Sequence, residues 1–161
     1  MERRPQSPSK RRTEPSPAAR ALRLLARREH TRLELARKLE PHFEDPAELQ
    51  ALLDDFTARG WLSEQRAVDQ LLNAKRSRFG AARIRQALLD RGVAEDLIAP
   101  ALAGLKESEP DVARIVWTKK FGGAPRTTAE RARQVRFLQS RGFSLDVAMR
   151  VVRSVERGGD Q

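Results

Sequence analysis

The sequence predicts an all-α fold: a tandem array of three three-helix repeats, elongated and gently curved, behind a disordered N-terminal arm. Three observations lead there. Apolar residues recur at spacings of three and four nearly everywhere after residue 18, the period of a helix with one buried face. Ala (22) and Leu (19) far outnumber Ile plus Val (12), and Tyr is absent, which disfavours a sheet. The helical pattern also repeats itself at an offset of about 50 residues.

Residues 1–17 carry Pro5, Pro8, Pro15 and Pro17 among serines and basic residues, without apolar periodicity. Such a composition buries too little to offset the entropy of ordering, so it reads as a disordered arm. The first helical stripe is Leu22, Leu25 and Ala26; the second is Leu35 and Leu39, opened by Thr31 with Glu34 as a capping box. Asp45, Pro46 and Glu48 suit the N-cap, first turn and third position of the next helix, with Leu49, Leu52, Leu53 and Phe56 inside. Ala67, Leu71 and Ala74 make the fourth stripe, Ile84 and Leu88 the fifth, and Leu97, Ile98, Ala101, Leu102 and Leu105 the sixth. Pro110 opens the seventh, which carries Val112, Ile115 and Val116 and leaves Trp117 one place off the stripe. Thr127 with Glu130 opens the eighth, with Val135 and Leu138; Ser144 caps the ninth, with Val147, Val151, Val152 and Val155. Gly60, Gly92 and Gly142 each follow an Arg and precede an apolar residue, as expected where a helix stops on a left-handed glycine.

Placing Arg91-Gly92-Val93 on Arg141-Gly142-Phe143, an offset of 50, superposes Leu88 on Leu138, Leu97 on Val147 and Leu105 on Val155. An offset of 49 puts Thr31 on Gly80, Leu35 on Ile84 and Leu53 on Leu102. The units are residues 18–62, 63–107 and 108–157, followed by a flexible tail, 158–161. Such units bury little alone and lean on their neighbours. With helices about 10 Å across, three in a row reach on the order of 60 Å.

The net charge of +10 is unevenly spread. Residues 1–20 hold a local +4; residues 40–58 carry Glu40, Glu44, Asp45, Glu48, Asp54 and Asp55 with no Lys or Arg. Between residues 75 and 91, Lys75, Arg76, Arg78, Arg83, Arg85 and Arg91 face only Asp90. Lys119, Lys120, Arg126, Arg131, Arg133, Arg136 and Arg141 continue the trend in the third unit. A charge run is often only a solvated helix face, but its recurrence in successive units points to a surface for a nucleic-acid or acidic partner.

The absence of cysteine excludes disulfides, thiolate zinc sites and cysteine nucleophiles. No apolar run approaches the ~20 residues of a membrane span, and the charged N-terminus lacks the apolar core of a signal peptide. A cytoplasmic protein without membrane contact is expected. Nothing converges for catalysis or cofactor binding. His30 and His42 are twelve residues apart and read as loop or cap residues, and Asp54 and Asp55 are adjacent on a helix and cannot face one another. Gly122-Gly123 lacks the Lys-Ser or Lys-Thr of a phosphate loop. Phe79-Gly80 at a helix start offers either free amides for an anion or a plain helix start. Trp61 and Phe56 read as apolar staples between units; Trp117 fits either a packed aromatic or an exposed anchor.

The residues resemble a known family, the bacterial RecX regulatory proteins, which modulate the RecA recombinase. The resemblance rests on Trp61-Leu62-Ser63-Glu64-Gln65-Arg66, then Arg76-Ser77-Arg78-Phe79-Gly80-Ala81-Ala82-Arg83-Ile84, then Leu88-Leu89-Asp90-Arg91-Gly92-Val93. The opening Ala21 to Thr31 and the stretch Phe137 to Phe143 also fit, so that it covers about 18–157. Ala67 and Val68 stand where the family commonly has Phe-Ala, and Ser63 replaces an acid. The resemblance implies a non-enzymatic protein that binds the RecA–DNA filament along its groove and restrains filament growth, ATP turnover, strand exchange and repressor co-cleavage. It also implies roles in recombination, repair and the SOS response. The competing reading is a direct, non-specific DNA-binding helical protein, for single or double strands. A monomer without cofactors is expected in either case. The contact surface is expected at Lys75, Arg76, Arg78, Arg83 and Arg85, with Lys119, Lys120 and Arg126 as the equivalent edge of the third unit.

Overall fold

The computed structural model describes residues 14–158; residues 1–13, most of the predicted arm, and 159–161, most of the predicted tail, lie outside the described residues. Among the described residues the chain forms nine α-helices and no strand. They are α1 (Pro17–Arg27), α2 (Arg32–Leu39), α3 (Pro46–Ala58), α4 (Glu64–Lys75), α5 (Ala81–Asp90), α6 (Glu95–Ala103), α7 (Glu109–Lys120), α8 (Thr128–Ser140) and α9 (Leu145–Gly158), with a 3-10 turn at Glu40–His42. The first helix begins within the stretch assigned to the arm: the Ser16 hydroxyl accepts the N–H of Ala19, and Pro17 forms the first turn of α1. Gly158, assigned to the tail, closes α9.

The local signals set the helix ends. Thr31 and Glu34 exchange both bonds of a capping box, and Asp45 caps α3 through the N–H of Ala47. Thr127 caps α8 through the N–H of Glu130, but the Glu130 carboxylate returns to the N–H of Arg126 rather than Thr127. Gly60, Gly92 and Gly142 have φ of +73°, +76° and +90°. At each, the glycine N–H bonds three residues back and the following N–H five back, as in Gly92 to Leu89 (2.9 Å) and Val93 to Leu88 (3.1 Å). This double bond is the Schellman stop, closed by an apolar contact.

Packing is organised in triplets, each helix pressed on others of its own three. Ala21, Leu35, Leu39, Leu49, Leu53, Phe56 and Leu62 form one core, and Val68, Leu71, Ile84, Leu88, Val93 and Ile98 a second. The third gathers Trp117, Phe121, Val135, Leu138, Phe143, Val151 and Val152 around Ala113 and Ala148.

Two stripes differ in register from the sequence reading. On α1 the buried face is Ala21 with Ala18, Leu24 and Leu25, while Leu22 points outward. On α7 the buried pair is Ala113 and Trp117, and Ile115 is 52% exposed. Trp117 goes inside because its indole N–H finds a buried acceptor, the Gln134 side-chain oxygen at 2.9 Å. Trp61, expected as a staple, is half-exposed: Phe56 alone fills the core, with the Trp61 ring edge-on to it at 5.2 Å and Arg59 over its outer face.

Candidate functional site

The three triplets dock in series, and the same contact is used twice. At the first junction Glu64, opening α4, accepts the N–H of Arg32, the first residue of α2. The Thr31 hydroxyl donates to the carbonyl of Arg91, and Gly92 lies against the Leu33 side chain. At the second junction Glu109, opening α7, accepts the N–H of Ala81, the first residue of α5, at 2.7 Å. The N–H groups of Gly80 and Ala82 donate to the carbonyls of Arg141 (2.9 Å) and Gly142 (3.1 Å). At each junction the helix start donates an N–H to a carboxylate of the next triplet, an arrangement the helix dipole favours, and a second donor to its turn: a hydroxyl at the first, backbone N–H groups at the second. The Gly80 amide is therefore committed to this packing and the Phe79 amide to the Lys75 carbonyl, so these two N–H groups form no anion cradle.

The two junctions share geometry but not charge. At the first, every cation meets a carboxylate: Arg28 and Arg91 reach Glu34 at 3.1 and 3.5 Å, and Arg66 reaches Glu29 at 2.9 Å. Burial alone would raise the Glu34 pKa, but bonds from Arg28 and the Thr31 N–H outweigh it and hold Glu34 below the ordinary carboxylate value. At the offset of 49, Glu34 falls on Arg83; at 50, Arg91 falls on Arg141. The attractive pair of the first junction is replaced by two arginines at the second.

Around those arginines the chain builds a basic edge. Phe79 has Arg83, Lys75 and Arg78 over its ring at 4.7, 5.1 and 5.8 Å. Across the junction Arg141 and Lys120 lie over Phe137 at 5.1 and 5.9 Å, and Arg133 over Phe121 at 5.8 Å. Phe121 and Phe137 stack edge to face at 5.3 Å. The Arg83 guanidinium also donates to the Ser140 carbonyl at 3.0 Å, which ties the two sides together. Exposed cation–π contacts stabilise by only about 0.5–1 kcal/mol each; their consequence here is orientation, because they hold charged heads at the surface.

Of the residues expected at the surface, the structure gathers Lys75, Arg78, Arg83 and Lys120. Arg76 and Lys119 are exposed at the ends of α4 and α7 without a ring or carboxylate among the described residues. Arg126 lines a shallow cleft with Gly122 and Gly123 that adjoins the edge through Phe121 and Arg133. Arg85 points elsewhere, its guanidinium held by both oxygens of Glu95. Arg141, Arg133 and the two phenylalanines under them were not singled out from sequence. The available signal was a cation four residues from an aromatic, at Arg133, Phe137 and Arg141 on one face of α8.

The edge presents guanidinium and ammonium groups, which can bind anions. His30 is buried, its ring nitrogen on the Arg28 carbonyl at 3.0 Å, and His42 lies in the 3-10 turn. No group of three or more His, Asp or Glu that could hold a metal comes together among the described residues. No helix among them is long and apolar enough to cross a membrane. The acidic side chains of residues 40–58 are largely exposed on the first triplet, far along the chain from the basic edge; Asp54 and Asp55 pair with Arg32 and Arg59.

Comparison with known proteins gives a consistent result. A family model described as the third three-helix domain of RecX matches residues 107–152. The regulatory protein RecX of Leptothrix cholodnii is 51% identical over 141 residues, 88% of this chain and 90% of that protein. That of Chromobacterium violaceum is 45% identical over 141 residues (88% and 89%), and that of Ralstonia nicotianae 43% over 138 (86% and 87%). The crystal structure of RecX from Lactobacillus salivarius matches with a TM-score of 0.70 at 16% identity, over 87% of this chain and 94% of that one, a likeness of fold.

Proposed function

The chain belongs to the RecX family of regulatory proteins, and from that premise we propose that it binds the filament RecA forms on DNA and restrains it. It lowers RecA's recombinase, ATPase and co-protease activities by occupying the filament and carries out no reaction itself. The three triplets, residues 18–62, 63–107 and 108–157, serve as repeats of one docking body, a cytoplasmic monomer.

The observation that carries this reading is the charge at the second junction. Among the described residues, Lys75, Arg76, Arg78, Arg83, Lys119, Lys120 and Arg126 form no salt bridge, whereas the cations of the first junction all do. An array with an acidic stretch in its first triplet and a basic edge at its second junction suits a partner that presents protein and polyanion together. RecA ATPase on single-stranded DNA, measured with and without the protein, tests it: inhibition that saturates with added protein is expected, and no effect at excess refutes the reading.

The second reading, direct binding to DNA, is favoured by the cation-covered rings of the basic edge. A steep fall of affinity with salt in the absence of RecA supports it; binding that requires the filament, with a shallow salt slope, supports the first.

A further inference from the structure

Arg83 occupies a position where the first unit places an acid, Glu34. It is the third residue of α5, and the third residues of the equivalent helices α2 and α8 are Glu34 and Glu130. Each glutamate bonds an N–H just before its helix, Thr31 for Glu34 and Arg126 for Glu130. A cation in the first turn opposes the helix dipole instead of complementing it. The Arg141 backbone adjoins it: the Arg83 guanidinium reaches Ser140, and Gly142 packs on the Arg83 backbone and Cβ. A local rule is thus broken by a cation at a helix start, and Arg141 stands at the position from which Arg91 reaches Glu34 at the first junction. Departures of this kind persist where a ligand compensates for them.

We propose that Arg83 and Arg141 form a clamp for a phosphodiester of single-stranded nucleic acid, the anion taking the place that Glu34 holds at the first junction. Guanidinium groups suit phosphate because their N–H forks match its oxygens. Phe79 and Phe137 hold the two heads from behind, so the ordering is done before the ligand arrives. Lys75, Arg78 and Lys120 continue the positive track on either side, as a polymer needs and a lone anion does not. An acidic protein segment fits less well, because the rings here are covered by cations and the edge presents charge without an apolar anchor. The inference concerns the same edge as the filament reading, yet its test contains no RecA, so each can fail without the other.

The test is binding of the full chain to a dye-labelled single-stranded oligonucleotide by anisotropy across a salt series, with thermal denaturation in parallel. Arg83→Glu rebuilds the ion pair of the first junction. It is expected to lower affinity about tenfold or more and flatten the salt slope by about one to two, while leaving the melting temperature unchanged or higher. Arg141→Gln should weaken binding similarly. The control R150Q/R153Q neutralises two exposed arginines on α9, and its effect should be smaller. Unchanged affinity in R83E, or an equal loss in the control, overturns the clamp. So does full displacement of the oligonucleotide by millimolar inorganic phosphate at constant ionic strength, which would mark a free-anion site.

Discussion

Gly80, at the start of α5, and Gly142, in the turn between α8 and α9, meet backbone to backbone: a Cβ built on Gly80 overlaps the carbonyl group of Gly142 and the nitrogen of Phe143. The φ of Gly80 is −80°, a value any residue adopts, so space alone requires glycine there. Gly80→Ala is expected to destabilise by about 2 kcal/mol or more, because backbone cannot give way as a side chain does. Gly122→Ala, where nothing lies within 4 Å of the new methyl, should be nearly neutral. Equal melting temperatures for the two variants would refute the close contact.

The glutamates that open α4 and α7 carry the second feature of the junctions. Glu109→Ala strips the acceptor from the Ala81 N–H, and Glu64→Ala does the same to Arg32. A lost helix-cap bond costs about 1 kcal/mol. Glu109→Gln keeps an acceptor of the same length and should recover about half of the loss. Urea denaturation of the four variants, with the double alanine variant additive because the junctions share no partner, is the measurement.

Much of this was legible in the sequence, and the reasons are local. Gly92 and Gly142 declare their helix stops through an Arg before and an apolar residue after. Thr31 with Glu34 declares a helix start, and the offsets of 49 and 50 align the units. The register of α7 was not legible: Ile115 and Trp117 compete for the inside on hydrophobicity alone. The decision falls to Gln134, which comes from another helix and meets the indole only after folding. The basic edge was legible as a charge run but not as a site. Arg85 and Arg83 look alike in sequence, and only the fold gives one of them Glu95 and the other Phe79.

Gln134 also supports a loop. Its amide accepts from Trp117 and donates to the Gly123 carbonyl at 3.2 Å, so one buried side chain satisfies two groups. Gln134→Leu keeps the volume and leaves both unpaired, which costs about 1–3 kcal/mol. Fluorescence of Trp117, measured in a Trp61→Phe background so that the second tryptophan does not contribute, reads the outcome. Cooperative unfolding at lower urea, with an altered native emission spectrum, is expected; a spectrum and midpoint matching the parent would contradict the assignment.

Acid should loosen the first triplet through His30. Burial pushes its pKa below the ordinary imidazole value of 6.5, only partly opposed by its bond to the Arg28 carbonyl. The unfolded chain then takes up a proton near pH 6.5 that the folded chain refuses, so stability falls as pH drops below that value. Glu34, with its pKa lowered from 4.5, loses its contribution only at more acid pH and leaves this window to His30. The melting temperature of the parent is expected to fall between pH 7.5 and 5.5 by more than that of His30→Asn, which does not titrate there. Parallel curves would remove His30 from the account.

On the basic edge, arginines that look equivalent in sequence should differ in effect on RecA. Reversing charge at Arg76, Arg78 and Arg83 together removes cations that no carboxylate neutralises among the described residues. Reversing Arg85 instead breaks its pair with Glu95 and places two acids side by side, away from the aromatic-backed cluster. If the filament meets the edge at the second junction, the triple variant loses inhibition of RecA ATPase while keeping its helical circular dichroism. Arg85→Glu should inhibit about as well as the parent despite an exposed like-charge pair worth less than about 1 kcal/mol. Inhibition that tracked net charge alone, with Arg85→Glu losing a third of what the triple variant loses, would mean that the filament senses the overall field of the protein rather than this edge.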